Sequence, residues 1–274
     1  KSCFADNVAL HVAKELGIPV LMLDTEMSKE DHWNRIVANV SDVEINEIAT
    51  GKFADDAEKI DRVNKAVEEI KDIPYDYISI AGRPFEETLS IARRWLLKNV
   101  GYDENGRLND CLVIYDYLKL MTSESINNNL AEFQVLGFQI TSLHNFCVEH
   151  DVACLSFVQL NRDGITKETT DAVSGSDRLI WLCTSFSIFK NKTEEEKAMD
   201  GVVNGDKKLI PIVSRHGPGM EDEGYICLGM QGEFARINEL GTIREIKRNA
   251  EGREQGIPDS GDADPEDEVD VQDF

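Results

Sequence analysis

Cys111-Leu-Val-Ile-Tyr-Asp-Tyr-Leu-Lys-Leu-Met121 is the stretch from which the rest of the chain can be read. Leu112 to Tyr115 run straight into Asp116 with no polar alternation, so the sequence predicts a strand buried on both faces and ending in a carboxylate. In an open α/β sheet, ligands sit beyond the carboxyl ends of the strands, which would aim Asp116 at a site. The usual partner of an acid so placed is a Mg²⁺ carried on a nucleotide. A strand-ending Asp also begins turns, and this segment alone does not choose between the two.

At 274 residues the chain is one large domain or two small ones, long enough for a substantial core. An apolar share of 41% with 30% charged residues is that of a soluble globular protein. No apolar run approaches the roughly 18 to 20 residues of a membrane span, and Lys1-Ser-Cys-Phe-Ala-Asp6 lacks a signal-peptide pattern, so a cytoplasmic protein is expected. The six cysteines (3, 111, 147, 154, 183 and 227) sit in apolar surroundings without C-x-x-C spacing and read as reduced core thiols. The five histidines show no metal-ligand spacing; His144 and His150 read as helix surface.

A net charge of −23 argues against a broad nucleic-acid-binding face. Its distribution qualifies the argument. Eight acidic residues between Asp259 and Asp273 have no Lys or Arg among them, and setting them aside leaves −15. A polyanion could be held only by a few locally basic loops.

In chain order, Lys1–Leu16 reads as a helix stopped by Gly17, and Ile18–Leu23 as a short buried strand leading into Asp24-Thr-Glu-Met27. Ser28 with Asp31 three residues on makes an N-cap for a helix from Lys29 to Val40, followed by helices over 43–50 and 55–71. A strand over 77–80, a helix opened by Pro84 and running to Val100, and a polar loop over 101–110 return the chain to the strand before Asp116. Beyond a loop over 122–129, a helix is expected over 130–150 and an apolar strand over 152–158, ending at Gln159. Residues 163–177 read as a mobile loop, 179–189 and 209–213 as strands separated by a charged excursion, and 225–228 with 234–237 as a closing hairpin. The fold class is therefore α/β, a mainly parallel sheet flanked by helices with an antiparallel edge or C-terminal extension.

Lys1-Ser2 directly before a helix is what remains of a phosphate-binding G-x-x-x-x-G-K-[ST] loop without its glycines. Nucleotide hydrolysis needs a Lys on the phosphates, a hydroxyl on Mg²⁺ and a strand-end Asp behind that metal, which links the dipeptide to Asp116. Glu26, past another buried strand, is placed in topology to orient an attacking water, though an acid there also suits a helix entry.

Leu23-Asp-Thr-Glu-Met-Ser28, Ile114-Tyr-Asp-Tyr-Leu-Lys-Leu-Met121, Leu155-Ser-Phe-Val-Gln-Leu-Asn-Arg162, Ser174-Gly-Ser176 and Arg215-His-Gly-Pro218 stand in the order and rough spacing of the DnaB-type replicative helicases. This resemblance covers residues 1 to about 240 and includes phage primase-helicases. It implies a RecA-like P-loop NTPase domain over 1–250, lacking its first, phosphate-loop strand, followed by a disordered acidic tail over 251–274. The implied activity is an ATP- or NTP-driven DNA helicase (dNTP included), a hexameric ring that moves on single-stranded DNA and unwinds duplex. Carried over by position, Lys1 would contact the β- and γ-phosphates, Ser2 and Asp116 would hold Mg²⁺, and Glu26 would be the catalytic carboxylate. Gln159 would sense the γ-phosphate, and Arg215 would be an arginine finger reaching a neighbouring subunit's site.

The chain departs from the family pattern in two places. Val213 stands where the family has a Lys two residues before its finger, and Ala172-Val173 stand where an Arg-Glu pair often precedes Ser-Gly. Arg162, Lys167 and Arg178, with backbone N–H groups near Gly175, would then supply the DNA phosphate contacts. The tail ends in Phe274 behind its acidic run and resembles tails that dock on replication partners such as a polymerase or primase. The resemblance extends to phage-encoded proteins acting in the host cytoplasm. Two other readings share these residues: a RecA- or RadA-like recombinase-type or clock-type ATPase, and a degenerate, non-enzymatic ring module that recruits partners through its tail. A chain starting at Lys1 lacks the strand feeding the phosphate loop and is expected to show a gap or exposed sheet edge and to be unstable in isolation.

Overall fold

The computed structural model describes residues 1–118, 132–159, 177–216 and 224–254. The first sheet has the strand order β2-β1-β3-β4, built from β1 (Val20–Asp24), β2 (Tyr75–Ser79), β3 (Leu112–Asp116) and β4 (Ala153–Ser156), all parallel. Its helices are α1 (Ser2–Leu10, continued by a π-helical turn His11–Glu15), α2 (Lys29–Ser41), α3 (Ile45–Thr50), α4 (Ala57–Asp72), α5 (Phe85–Trp95) and α6 (Glu132–His150).

Both faces of this sheet are covered, which explains the unbroken apolar runs of β1 and β3. Val20, Met22 and Ile114 pack with Ala5, Ala9 and Ala13 of the first helix, Ile36 of α2, and Tyr75 and Tyr77 of β2. Leu21, Leu23, Val113 and Tyr115 point the other way, against Leu89, Ala92 and Trp95 of α5 and Ile140, Leu143 and Phe146 of α6. Each large apolar side chain so buried contributes about 1.5–3 kcal/mol. Local chemistry sets the helix starts. The Ser28 hydroxyl accepts from the Asp31 N–H at 3.0 Å, and the Asp56 carboxylate accepts from Glu58 N–H at 2.9 Å.

A polar seam crosses the first core. Asp6 Oδ1 lies 3.3 Å from His32 Nδ1, the Tyr75 hydroxyl lies 2.9 Å from His32 Nε2, and the Tyr77 ring stacks on the imidazole with centroids 3.9 Å apart. Burial and the nearby Asp6 charge raise the Tyr75 phenol well above its ordinary pKa, which keeps it protonated within the seam.

The C-terminal strands form a sheet of their own rather than an edge of the first. After α7 (Asp177–Leu182), strands β5 (Ser185–Asn191), β6 (Lys207–Ser214), β7 (Ile226–Gln231) and β8 (Arg236–Thr242) pair antiparallel in sequence order. Phe186, Ile188 and Ile210 join the cluster formed with α5 and α6, so the two sheets share one core. Asn7 Nδ2 and Asn39 Nδ2 both donate to the Ala235 carbonyl, at 2.8 and 2.9 Å, and the Ile237 N–H donates to Asn7 Oδ1 at 3.0 Å, tying the β7–β8 hairpin to α1 and α2.

The strand expected over 179–189 is corrected: its first part is helix α7. Leu179 is buried while Arg178 and Trp181 are exposed, and Cys183 N–H donates to the Leu179 carbonyl at 3.0 Å, a helical bond. A short apolar run suits either structure, and here tertiary packing chose the helix. The charged excursion contains α8 (Glu194–Asp200), opened by a capping box in which Thr193 and Glu196 satisfy each other's backbone N–H. A last helix, α9 (Ile243–Glu254), runs past residue 251, where the tail was expected to begin.

Beyond β4 no described strand continues the first sheet. A groove of about 430 Å³ separates its edge from β5, lined among others by Ile140, Ala153, Leu155, Leu179 and Phe186. Among the described residues, no helix is long and apolar enough to cross a membrane.

Candidate nucleotide site

The carboxyl ends of β1 and β3 lie side by side, with Asp24 in register with Asp116. Both carboxylates are buried, at 1% and 2% exposure. Asp24 Oδ1 accepts from the Glu26 and Met27 N–H groups at 2.6 and 2.8 Å, closing a tight turn that carries Glu26 out of the strand. The same turn is held from below by the Tyr77 hydroxyl, which donates to the Met27 carbonyl at 2.9 Å, and from the side by Thr25 N–H on the Asp116 carbonyl at 2.9 Å.

At the amino end of α1, Ser2 stands close enough to Asp116 for its hydroxyl to favour the charged carboxylate. Burial raises the Asp116 pKa from its ordinary value; the Ser2 hydroxyl opposes the shift and the Asp24 charge adds to it. Asp116 Oδ1 and Asp24 Oδ2 are buried without a hydrogen-bond partner among the described residues. Orphaned buried oxygens on adjacent carboxylates are unfavourable unless something cationic or proton-donating meets them.

Among the described residues, no cluster of three or more His, Cys, Asp and Glu is arranged to hold a metal ion unaided. A Mg²⁺ arriving on a nucleotide needs only one or two protein oxygens, its remaining ligands being phosphates and water. The Asp116 carboxylate, with its unpartnered Oδ1, and the nearby Ser2 hydroxyl fit that donor set. Next to it, Tyr117 OH donates to Glu26 Oε1 at 2.9 Å, and the Lys1 ammonium stands 3.4 Å over the centre of the Tyr117 ring. The Asp116–Tyr117 peptide is cis.

Four of the residues singled out in the sequence, Lys1, Ser2, Glu26 and Asp116, therefore gather at the carboxyl ends of β1 and β3. Gln159 is exposed, three residues beyond the end of β4 and on the same side of the sheet, where the chain is joined to the site by Leu118 N–H on the Phe157 carbonyl at 2.9 Å. Arg215 belongs to the other sheet. It follows β6, its N–H donates to the Thr184 carbonyl at 2.9 Å, and its guanidinium donates to the Trp181 carbonyl. Arg178, on the first turn of α7, lies over the Phe138 ring at 6.0 Å. Arg162, Lys167 and Gly175 lie outside the described residues. Two contributors escaped sequence reasoning: Asp24, whose signal was an Asp two residues before Glu26, and the Tyr117 hydroxyl, whose partner is 91 positions away.

Residues 1–174 match the family described as DnaB-like helicase C terminal domain. Replicative DNA helicase DnaB of Pasteurella multocida is 25% identical over 260 residues, covering 90% of this chain and 50% of that protein. The same figures for identity and coverage hold for DnaB of Haemophilus influenzae over 264 residues. The chain thus spans about half the length of these relatives. Among solved structures, one described as an ATPase domain superposes with a TM-score of 0.74 at 18% identity, covering 88% of this chain and 80% of that one. A DnaB-like replicative helicase studied with its primase interactions superposes at 0.72 and 18% identity, covering 86% of this chain and 54% of that one. The chain belongs to the DnaB-like helicase C-terminal domain family.

Proposed function

We propose that the chain is the motor domain of a replicative DNA helicase, hydrolysing ATP, or another NTP or dNTP, to move along single-stranded DNA and unwind duplex as a hexameric ring. The observation that carries this reading is the gathering of Lys1, Ser2, Glu26 and Asp116 at the carboxyl ends of β1 and β3. Lys1 would leave the face of Tyr117 to contact the β- and γ-phosphates, and Ser2 and Asp116 would hold Mg²⁺. A Mg²⁺ held by them would supply charge neutralisation for the phosphoryl oxygens. Glu26 orients the attacking water and accepts its proton, with its backbone set by Asp24. Gln159 reports the γ-phosphate to the segment that follows it.

Arg215 would act in trans, a role worth about 10³-fold or more in rate. Its exposed place at the end of β6, on the sheet that does not carry Asp116, suits a group that works on a neighbour's site. Arg162, Lys167 and Arg178, with the backbone at Gly175, would contact DNA phosphates. Six copies around a channel would multiply a weak contact and offset the acidic net charge. The acidic tail ending in Phe274 would bind a replication partner such as a polymerase or primase, in the cytoplasm of a bacterial cell or of a phage host.

Replacing Glu26→Gln in the full-length protein tests the reading. DNA-stimulated hydrolysis should fall by about 10²-fold or more while nucleotide affinity stays within about twofold. Hydrolysis close to the wild-type rate would overturn it.

A further inference from the structure

Glu26 is exposed on its turn, and an exposed glutamate ordinarily samples many rotamers. Here it is gripped. Tyr117 OH donates to Glu26 Oε1 at 2.9 Å, a hydrogen bond to a charged acceptor. The phenol is itself well placed. It follows Asp116 at the tip of β3, the next residue is pinned by Leu118 N–H on the Phe157 carbonyl at 2.9 Å, and the Lys1 ammonium covers its ring at 3.4 Å. A phenol, with an ordinary pKa of about 10, remains a donor through the neutral range. Asp24 holds the backbone of Glu26 at 2.6 Å while Tyr117 holds its carboxylate, and the two restraints together define where that carboxylate points.

We propose that Tyr117 is a positioning residue for Glu26: its hydroxyl holds the carboxylate in the orientation from which water is activated. This rests on the reading of Glu26 as the catalytic carboxylate. A tyrosine that merely packed at the rim would need only its ring, and phenylalanine would replace it. A tyrosine that aims the carboxylate needs its hydroxyl, and loss of that group should slow the chemical step without weakening nucleotide binding. Small misplacements of a catalytic group cost rate steeply, because the geometry of attack is narrow.

The test compares Tyr117→Phe, Glu26→Gln and the double variant in the full-length protein, reading kcat and KM for nucleotide hydrolysis together with nucleotide affinity. Tyr117→Phe keeps the ring under Lys1, so unchanged affinity also reports an intact fold. Expected is a fall in kcat of roughly ten- to a hundredfold with KM and affinity within about twofold, and no further loss when Tyr117→Phe is added to Glu26→Gln. A wild-type kcat in Tyr117→Phe, or a raised KM at unchanged kcat, beside an inactive Glu26→Gln, overturns the positioning role and leaves the catalytic reading of Glu26 standing. Normal hydrolysis by Glu26→Gln overturns both.

Discussion

Replacing Lys192 with methionine should cost the fold about 3–5 kcal/mol, because it strands a buried carboxylate. Lys192 follows β5 and is fully buried, as is Asp200 at the end of α8. The ammonium lies 2.8 Å from Asp200 Oδ2 and donates to the Asn204 carbonyl at 2.8 Å and to Cys227 Sγ at 3.2 Å. Tyr225 OH donates to the same Asp200 oxygen at 2.6 Å. Methionine fills the volume but leaves Asp200 with a neutral donor in place of its cation. With a urea slope of about 2 kcal/mol/M, the unfolding midpoint should fall by about 2 M, read by tryptophan fluorescence. The double variant Lys192→Met/Asp200→Leu removes both charges and should recover half or more of the loss, the remainder being the partners left to Tyr225 and Asn204, about 1 kcal/mol each. A single variant that costs under about 1 kcal/mol, or a double variant whose cost is the sum of the singles, would refute the reasoning. Under the trans role proposed for Arg215, activity gives a second readout, since β6 pairs with β5 and leads directly into that residue.

Gly205 has φ +78°, and a Cβ placed on it would meet the Leu228 carbonyl oxygen at 2.2 Å, so Gly205→Ala should destabilise by about 3 kcal/mol or more in a thermal or urea melt. Gly51 shares a positive φ but has open space, and Gly51→Ala should cost only about 1 kcal/mol. Asp24→Ala releases both N–H groups of the Glu26 turn and should lower kcat about tenfold, whereas Asp24→Asn keeps an acceptor and should lose less; equal kcat values for the two would contradict the role of the turn. The fold raises the Asp116 pKa, so it favours the neutral acid: the stability this confers is present below the unfolded carboxyl's pKa and is lost as pH rises through the folded one. At neutral pH Asp116→Asn should therefore raise the melting temperature of the ligand-free protein, and a melting temperature that falls would count against the buried charge.

What could be read in advance were the strands buried on both faces and the acids at their tips. β1 and β3 announce themselves because helices cover both sides of a parallel sheet, leaving no polar alternation to confuse with anything else. Asp116 and Glu26 follow from chain direction, since loops at the carboxyl ends of such strands are where ligands bind. Tyr117 on Glu26 and Asp24 under the Glu26 turn were not legible, the first because 91 residues separate the partners and the second because an Asp after a strand has many uses. The stretch around Leu179 was misread for a different reason. Leu179-Ile-Trp-Leu182 is equally apolar as helix or strand, and only its packing against the shared core decided it. Lys192 and Lys208 lie in what reads from the sequence as a charged excursion, yet both are buried in ion pairs made by α8, a geometry that spacing alone cannot reveal.

The central claim is that the strand leading into Asp116 ends at a Mg²⁺-nucleotide site. It is tested most directly by the Mg²⁺ dependence of nucleotide binding, measured by calorimetry with a non-hydrolysable ATP analogue in the full-length protein and its Asp116→Ala and Ser2→Ala variants. The account predicts that the wild type binds the analogue much more tightly with Mg²⁺ than with a chelator present, and that Asp116→Ala and Ser2→Ala both lose most of that difference. A Mg²⁺ effect of wild-type size in Asp116→Ala would contradict it.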